Sequence, residues 1–273
     1  MPRLCSIRLG PSGRLAFAVA LALAGCVADG SDAGFLIRNN LAPDEDACTF
    51  MPSANAPFLA RGTIHTRASS PYLLAPLIES RITAAMGQES VRTVALQGAK
   101  IDLAIGPITV EDAQGALKFS CAAEGANACF GESELAELAA AGTTKFRSLF
   151  SAPLAPNGGL TTAAFDLVPT AAIREIERKT GLGTIPDGAR LHAQVVATAT
   201  LYGQLGNSEV SGLPFVYPVA VCSDCVVNVV GTCADTPQSF DPRPGNPCNP
   251  YQDGTLDCCT GPTGLVCPAV GQK

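Results

Sequence analysis

Tryptophan is absent from this chain, aromatic residues of all kinds make up 5%, and histidine occurs only as His65 and His192. So few rings exclude a core built on aromatic stacking. With 47% hydrophobic residues, the interior is expected to consist of Val, Leu, Ile and many Ala. Imidazole-based hydrolysis needs a histidine between a nucleophile and an orienting acid. Neither histidine lies in such a motif, and no Gly-x-Ser-x-Gly elbow is present. Both are expected on the polar side of strands. A basic excess is missing too: 18 Lys and Arg stand against 24 Asp and Glu. That excludes an electrostatic nucleic-acid binder and a polybasic patch docked on anionic lipid. There is no phosphate-cradling glycine loop, and no repeat with a period of roughly 20 to 50 residues. No helix-length apolar run appears at the N-terminus: Leu15 to Ala24 is about ten residues, where a spanning helix needs roughly 20.

That short run has company. Arg3, Arg8 and Arg14 precede or open it without a single acid, and Leu23-Ala24-Gly25-Cys26 follows it. A basic start, a short apolar core and small residues at the end form a secretory signal. The four residues at its end resemble the lipobox of bacterial lipoproteins. The resemblance implies a thiol-linked diacylglyceryl group on Cys26, cleavage just before it, a bacterial source and a cell-envelope location. Two or more acyl chains make a stable anchor, where one gives only marginal binding. Val27, not Asp, follows the cysteine, which by the enterobacterial sorting rule favours the outer membrane. Cleavage removes three arginines, so the net charge of −6 becomes −9 in the mature chain. The membrane partner is then the lipid itself.

Of 12 cysteines, Cys5 leaves with the signal and Cys26 takes the lipid. Ten remain: Cys48, Cys121, Cys129, Cys222, Cys225, Cys233, Cys248, Cys258, Cys259 and Cys267. An even set in an exported chain reads as disulfides. Ten cysteines admit ~945 pairings, so connectivity stays open. Cys121 and Cys129 bracket one Gly- and Ala-rich loop and can close it on each other. Cys48 is expected to tie its own segment to the body.

Hydropathy patterning divides the mature chain. Residues 26–57 are small and acidic and read as a flexible tether, interrupted by a short edge strand at Phe35-Leu36-Ile37-Arg38. Residues 58–221 read as an antiparallel β-sandwich with one or two short helices. Strands are expected at 58–66, at 72–82 as an edge or bulged strand, at 91–96, and at 99–105 beyond a break at Gln97-Gly98. Leu191 to Leu205 is the clearest: Leu191, Ala193, Val195, Ala197, Ala199 and Leu201 share one face, and His192, Gln194, Thr198, Thr200 and Tyr202 the other. Strands also fit 160–167 and 215–221. Helices are expected at 132–141, stopped by Gly142, and at 170–179, with Thr170 as N-cap, Arg178 and Lys179 in the last turn and Gly181 as stop. Many strands without a βαβ rhythm favour the sandwich. Residues 222–273 hold seven of the cysteines and seven prolines and read as an irregular, disulfide-rich tail with no core of its own.

Each chemical motif has a plainer reading beside it. Cys222-Ser-Asp-Cys225 has redox spacing, but it follows a strand and no helix N-terminus is evident to lower a thiol pKa. Zinc would need reduced ligands in an oxidising compartment. Asp44-Glu45-Asp46 lacks the spaced oxygens of a calcium loop. Glu175 and Glu177 among Arg174, Arg178 and Lys179 read as a solvated helix face. Asp253 marks a turn. No catalytic residue, metal or cofactor is therefore expected. The closing pattern Cys248-Asn-Pro-Tyr-Gln-Asp-Gly, Asp257-Cys258-Cys259 and Cys267-Pro resembles the cysteine-rich tails of uncharacterised predicted lipoproteins from Gram-negative bacteria with large genomes. It implies an envelope lipoprotein and assigns no activity.

The function expected is a lipid-anchored envelope protein that binds a protein or envelope polymer, or serves structurally, without catalysis. A deep pocket lined by convergent acids, or by His65 or His192, would count against it. The competing expectation is an envelope hydrolase using two carboxylates roughly 5–9.5 Å apart.

Overall fold

The computed structural model describes residues 34–44, 47–90, 92–121, 129–182, 188–237, 239–262 and 264–269. The signal segment and Cys26 lie outside the described residues. Five strands come first: β1 (Phe35–Leu41), β2 (Phe58–Leu59), β3 (Gly62–His65), β4 (Tyr72–Leu74) and β5 (Pro76–Ser80). Next come β6 (Val94–Glu111), β7 (Leu117–Cys121), α1 (Glu132–Ala140), β8 (Lys145–Leu154), β9 (Leu160–Thr161), β10 (Phe165–Val168) and α2 (Thr170–Lys179). The chain continues through β11 (Arg190–Leu205), β12 (Ser208–Ser211) and β13 (Phe215–Cys222). It ends with β14 (Val227–Thr232), β15 (Leu256–Gly261) and β16 (Gly264–Val266).

The protein is mainly β, an antiparallel sandwich with two short helices among the described residues. The large sheet runs β3-β13-β11-β6-β7, with β12 beside β11 and β8 beside β6. A second sheet runs β2-β1-β5-β9, and β10 pairs with β4 separately. Among the described residues, only β3 with β13 and β14 with β15 are parallel. The alternation along β11 is realised up to Leu201: Leu191, Ala193, Val195, Ala197, Ala199 and Leu201 are buried and His192 and Gln194 exposed, but Tyr202, expected on the polar face, is buried. They join Ile101, Leu103 and Ile105 of β6, Phe35 and Ile37 of β1, Ile78 of β5, and Ala172, Ile173 and Ile176 of α2 in one core.

Several expectations need correction. Gln97-Gly98 does not end a strand; β6 runs through it with a register shift against both neighbours. A Cβ on Gly98 would stand 2.5 Å from the Ser148 carbonyl oxygen, so the bulge admits only glycine comfortably. The helix at 170–179 forms as expected, but Pro169 is its N-cap and no side chain caps it. Phe35 to Arg38 pairs with β5 alone, as an edge does, but it is not part of a solvated tether. It belongs to β1, which lies between β2 and β5 and buries Phe35, Ile37 and Leu41.

The tail is less irregular than its composition suggests. β14, β15 and β16 form a small sheet, and Cys233–Cys259 and Cys258–Cys267 staple it. Asp257 locks it further. It accepts bonds from Arg243 Nε at 2.9 Å, Arg243 Nη2 at 2.7 Å and Asn228 Nδ2 at 2.7 Å. The Arg243 guanidinium holds its carboxyl well below the usual range. Nor is the tail detached. The Tyr251 carbonyl accepts the His65 N–H and the Thr63 carbonyl accepts the Asp253 N–H, both at 2.9 Å, along the open side of β3. The Gln252 amide meanwhile bonds both the N–H and the carbonyl of Leu73 in β4, each at 2.8 Å. Residues 251–253 thus close the seam between β3 and β4, covering an edge that would otherwise be open to pairing.

Candidate functional site

The tail's return onto the body leaves a cleft of about 510 Å³ between them. Each wall has a local cause. His65 ends β3, and the turn after it carries Thr66 and Arg67. Glu177 comes from the last turns of α2, and Arg190 from the first residue of β11. Ser223 and Asp224 sit in the tight loop held by the Cys222–Cys225 disulfide. Val227 and Val229 of β14, with Leu265 of β16, form an apolar wall.

His65 is 2% exposed, not solvated as the strand alternation implied, because the Tyr251 ring and the tail cover its face. Burial pulls its pKa from 6.5 down to about 4, against the raising influence of a backbone hydrogen bond with Ser223 and of Asp224. The imidazole is neutral at neutral pH. Its Nδ1 accepts the Arg67 N–H at 3.0 Å. Ser223 Oγ donates to the Ala189 carbonyl at 2.8 Å and accepts the Leu191 N–H at 2.9 Å. Both groups are engaged in holding backbone. His192 lies on the exposed face of β11, its Nε2 3.2 Å from Asp224 Oδ1, with Arg190 Nε 3.7 Å from Asp224 Oδ2. Glu177 accepts from Arg174 Nη1 at 2.7 Å. Arg174 in turn donates to the Thr66 carbonyl at 2.8 Å, which fixes α2 against the β3 turn.

The helix charges read as a solvated face do form ion pairs: Arg174 with Glu177, Arg178 with Glu175, and both Arg178 and Lys179 with Glu134 of α1. Asp44 accepts from Thr49 Oγ1 at 2.5 Å, while Glu45 and Asp46 lie outside the described residues. Among the described residues no three His, Cys, Asp or Glu side chains converge as metal ligands. No described helix is long and apolar enough to cross a membrane.

All ten cysteines expected to pair do so. Beyond the three disulfides already placed, Cys48 joins Cys248 and Cys121 joins Cys129. Cys48–Cys248 ties the residues before β2 to the tail.

A second polar cluster escaped the sequence reading. Asp253 fits the turn that the sequence indicates, with a φ of 54°. Its carboxylate also accepts the Tyr72 hydroxyl at 2.7 Å, the Thr63 N–H at 2.6 Å and Gln252 Nε2 at 3.1 Å. Tyr217 lies 3.3 Å from the Tyr72 hydroxyl, and Asn40 donates to Tyr217 at 3.0 Å. Burial pushes the Asp253 carboxyl up to about 6 and the Tyr72 phenol far above its ordinary range. No spacing rule links residues this far apart. A smaller cavity of about 320 Å³ lies between β8 and β10, beside Arg147, Leu149 and Asp166.

No protein-family model, no curated protein and no solved structure matches this chain.

Proposed function

We propose that the protein is a lipid-anchored component of a bacterial cell envelope, of non-catalytic binding type, with the body–tail cleft as its binding surface. The observation that carries the anchor is the cysteine pairing. The ten described cysteines pair among themselves, so Cys26 has no partner left in a chain cut before it. Its place behind Leu23-Ala24-Gly25 then supports acylation, and Val27 supports the outer membrane. Five disulfides suit an oxidising compartment outside the cytoplasm. The test is the intact mass of membrane-extracted protein, with and without reductant. The expected species starts at Cys26, carries lipid mass and gains ten protons on reduction. Cys26→Ala is expected to release the protein from membranes; an unlipidated chain, or unchanged retention of that variant, overturns the anchor.

The cleft also brings forward the competing reading, because His65, Glu177 and Asp224 all line it. A hydrolase built there could not use Ser223, whose hydroxyl is engaged with backbone on both sides. It would have to use Glu177 and Asp224 as its two carboxylates. Turnover of an envelope polysaccharide or peptide that is lost in both Glu177→Gln and Asp224→Asn would establish the hydrolase and displace the binding reading.

A further inference from the structure

The folded body begins closer to Cys26 than composition suggests. Because β1 starts at Phe35, only residues 27–33 stand between Cys26 and Gly34. Fully extended, so short a stretch reaches at most about 29 Å. A lipid on Cys26 would therefore hold near the bilayer the end of the sandwich where β1 begins. Two segments are built onto that end. The Arg81 N–H donates to the Gly34 carbonyl at 2.7 Å, and the Ile82 side chain lies against Gly34. The Leu213 N–H donates to the Phe35 carbonyl at 3.3 Å. Both segments turn apolar side chains to solvent: Met86 is 98% exposed and Leu213 45%. Met86 sits at the tip of a turn closed by the Gln88 N–H on the Ala85 carbonyl at 3.0 Å, with Gly87 at a φ of 83°. The base of that turn is fixed. Asn157 bonds both the N–H and the carbonyl of Ala84, at 2.9 and 3.2 Å, and its own N–H donates to the Ile82 carbonyl at 2.7 Å. Residues 82–88 and 210–215 carry no charge, in a chain whose net charge is −6. An uncharged turn with an apolar tip suits the boundary between headgroups and acyl chains, where burial of apolar surface gives binding without electrostatic attraction. Phe58, 59% exposed, stands opposite Leu41 at the other end of β1. That is roughly 20 Å along the strand from Phe35.

We infer that the turn from Ile82 to Gln88 and Leu213 form a second membrane contact, docking the sandwich by that end onto the bilayer that holds the Cys26 lipid. This rests on the proposed anchor, and the test separates the two. The chain has no tryptophan, so one introduced by substitution reports alone. Acylated protein carrying Met86→Trp, Leu213→Trp or Phe58→Trp is reconstituted into phosphatidylcholine vesicles with and without brominated acyl chains. Met86→Trp and Leu213→Trp are expected to emit at shorter wavelength than Phe58→Trp and to lose emission to the brominated chains, whereas Phe58→Trp keeps its emission. All three positions are exposed, so unchanged circular dichroism is expected. Adding Met86→Asp to Leu213→Trp removes the apolar burial of the tip and is expected to shift the docked fraction about tenfold, read as lost quenching. Equal quenching at all three positions, or none at Met86→Trp or at Leu213→Trp, overturns the contact, while lipid mass on the same protein keeps the anchor. A shift to shorter wavelength without quenching puts another surface, such as a second copy of the chain, on the turn and overturns the bilayer as its partner. If the intact mass carries no lipid, the anchor falls and the contact with it.

Discussion

At the scale of single residues, Asp253 and His65 are desolvated within two segments that pair with each other, and their titrations oppose. Asp253 titrates near 6 in the fold and near 3.8 when unfolded, so the folded state takes its proton first. Its contribution to stability is present below about pH 4 and is lost as pH rises through 6. His65 titrates near 4 in the fold and near 6.5 when unfolded, so the unfolded chain takes its proton first. Its contribution is present above about 6.5 and is lost as pH falls through 4. The two largely cancel in the native protein between those limits, and single substitutions expose each. Between pH 7 and pH 5, Asp253→Asn is expected to lose about 1 kcal/mol relative to the parent, and His65→Asn to gain about 1–2 kcal/mol. Urea unfolding at the two pH values measures both. A pH-independent difference for either variant would refute its assignment.

At the scale of elements, the long strand β6 depends on one bulge. The side-chain period of two would turn its apolar set outward after a one-residue slip, and the shift at Gly98 prevents that. Because the Ser148 backbone leaves no room for a Cβ there, Gly98→Ala is expected to cost about 2 kcal/mol or more, read as a lower urea midpoint with an unchanged m-value. Gly115 faces open space in a surface turn between β6 and β7, and its positive φ of 82° is its only constraint. Gly115→Ala should therefore cost only about 1 kcal/mol. Equal losses at the two sites would contradict the close-approach argument.

At the scale of the whole molecule, the tail and body act together. Cys48–Cys248 spans 200 residues, the longest of the five sequence separations. In the chain-entropy account a loop of this size is restrained by roughly 5 kcal/mol. The double variant Cys48→Ala with Cys248→Ala is expected to lose about 3–5 kcal/mol in non-reducing urea unfolding and to expose the tail to limited proteolysis. A protease-resistant tail in that variant would show that the contacts of residues 249–253 hold it without the disulfide. The same joint makes the cleft, since one wall belongs to the body and the other to β14 and β16.

Local chemistry was enough for local features. The period of two along residues 191–205, the stop glycines Gly142 and Gly181 at positive φ, and the β class all followed from neighbours in the chain. So did the expectation that ten cysteines pair, because parity and compartment do not depend on geometry. Which cysteine meets which, the burial of His65, the placing of Phe35 inside a sheet and the meeting of Tyr72 with Asp253 depended on contacts between residues far apart. A strand's alternation says which side chains share a face, but not what covers that face. Here residues 249–253 return to cover β3, and that return buries His65, desolvates Asp253 and leaves the cleft beside them. The proposed lipid site at Cys26 is read from the sequence alone, whereas the cleft exists only because two distant segments fold onto each other.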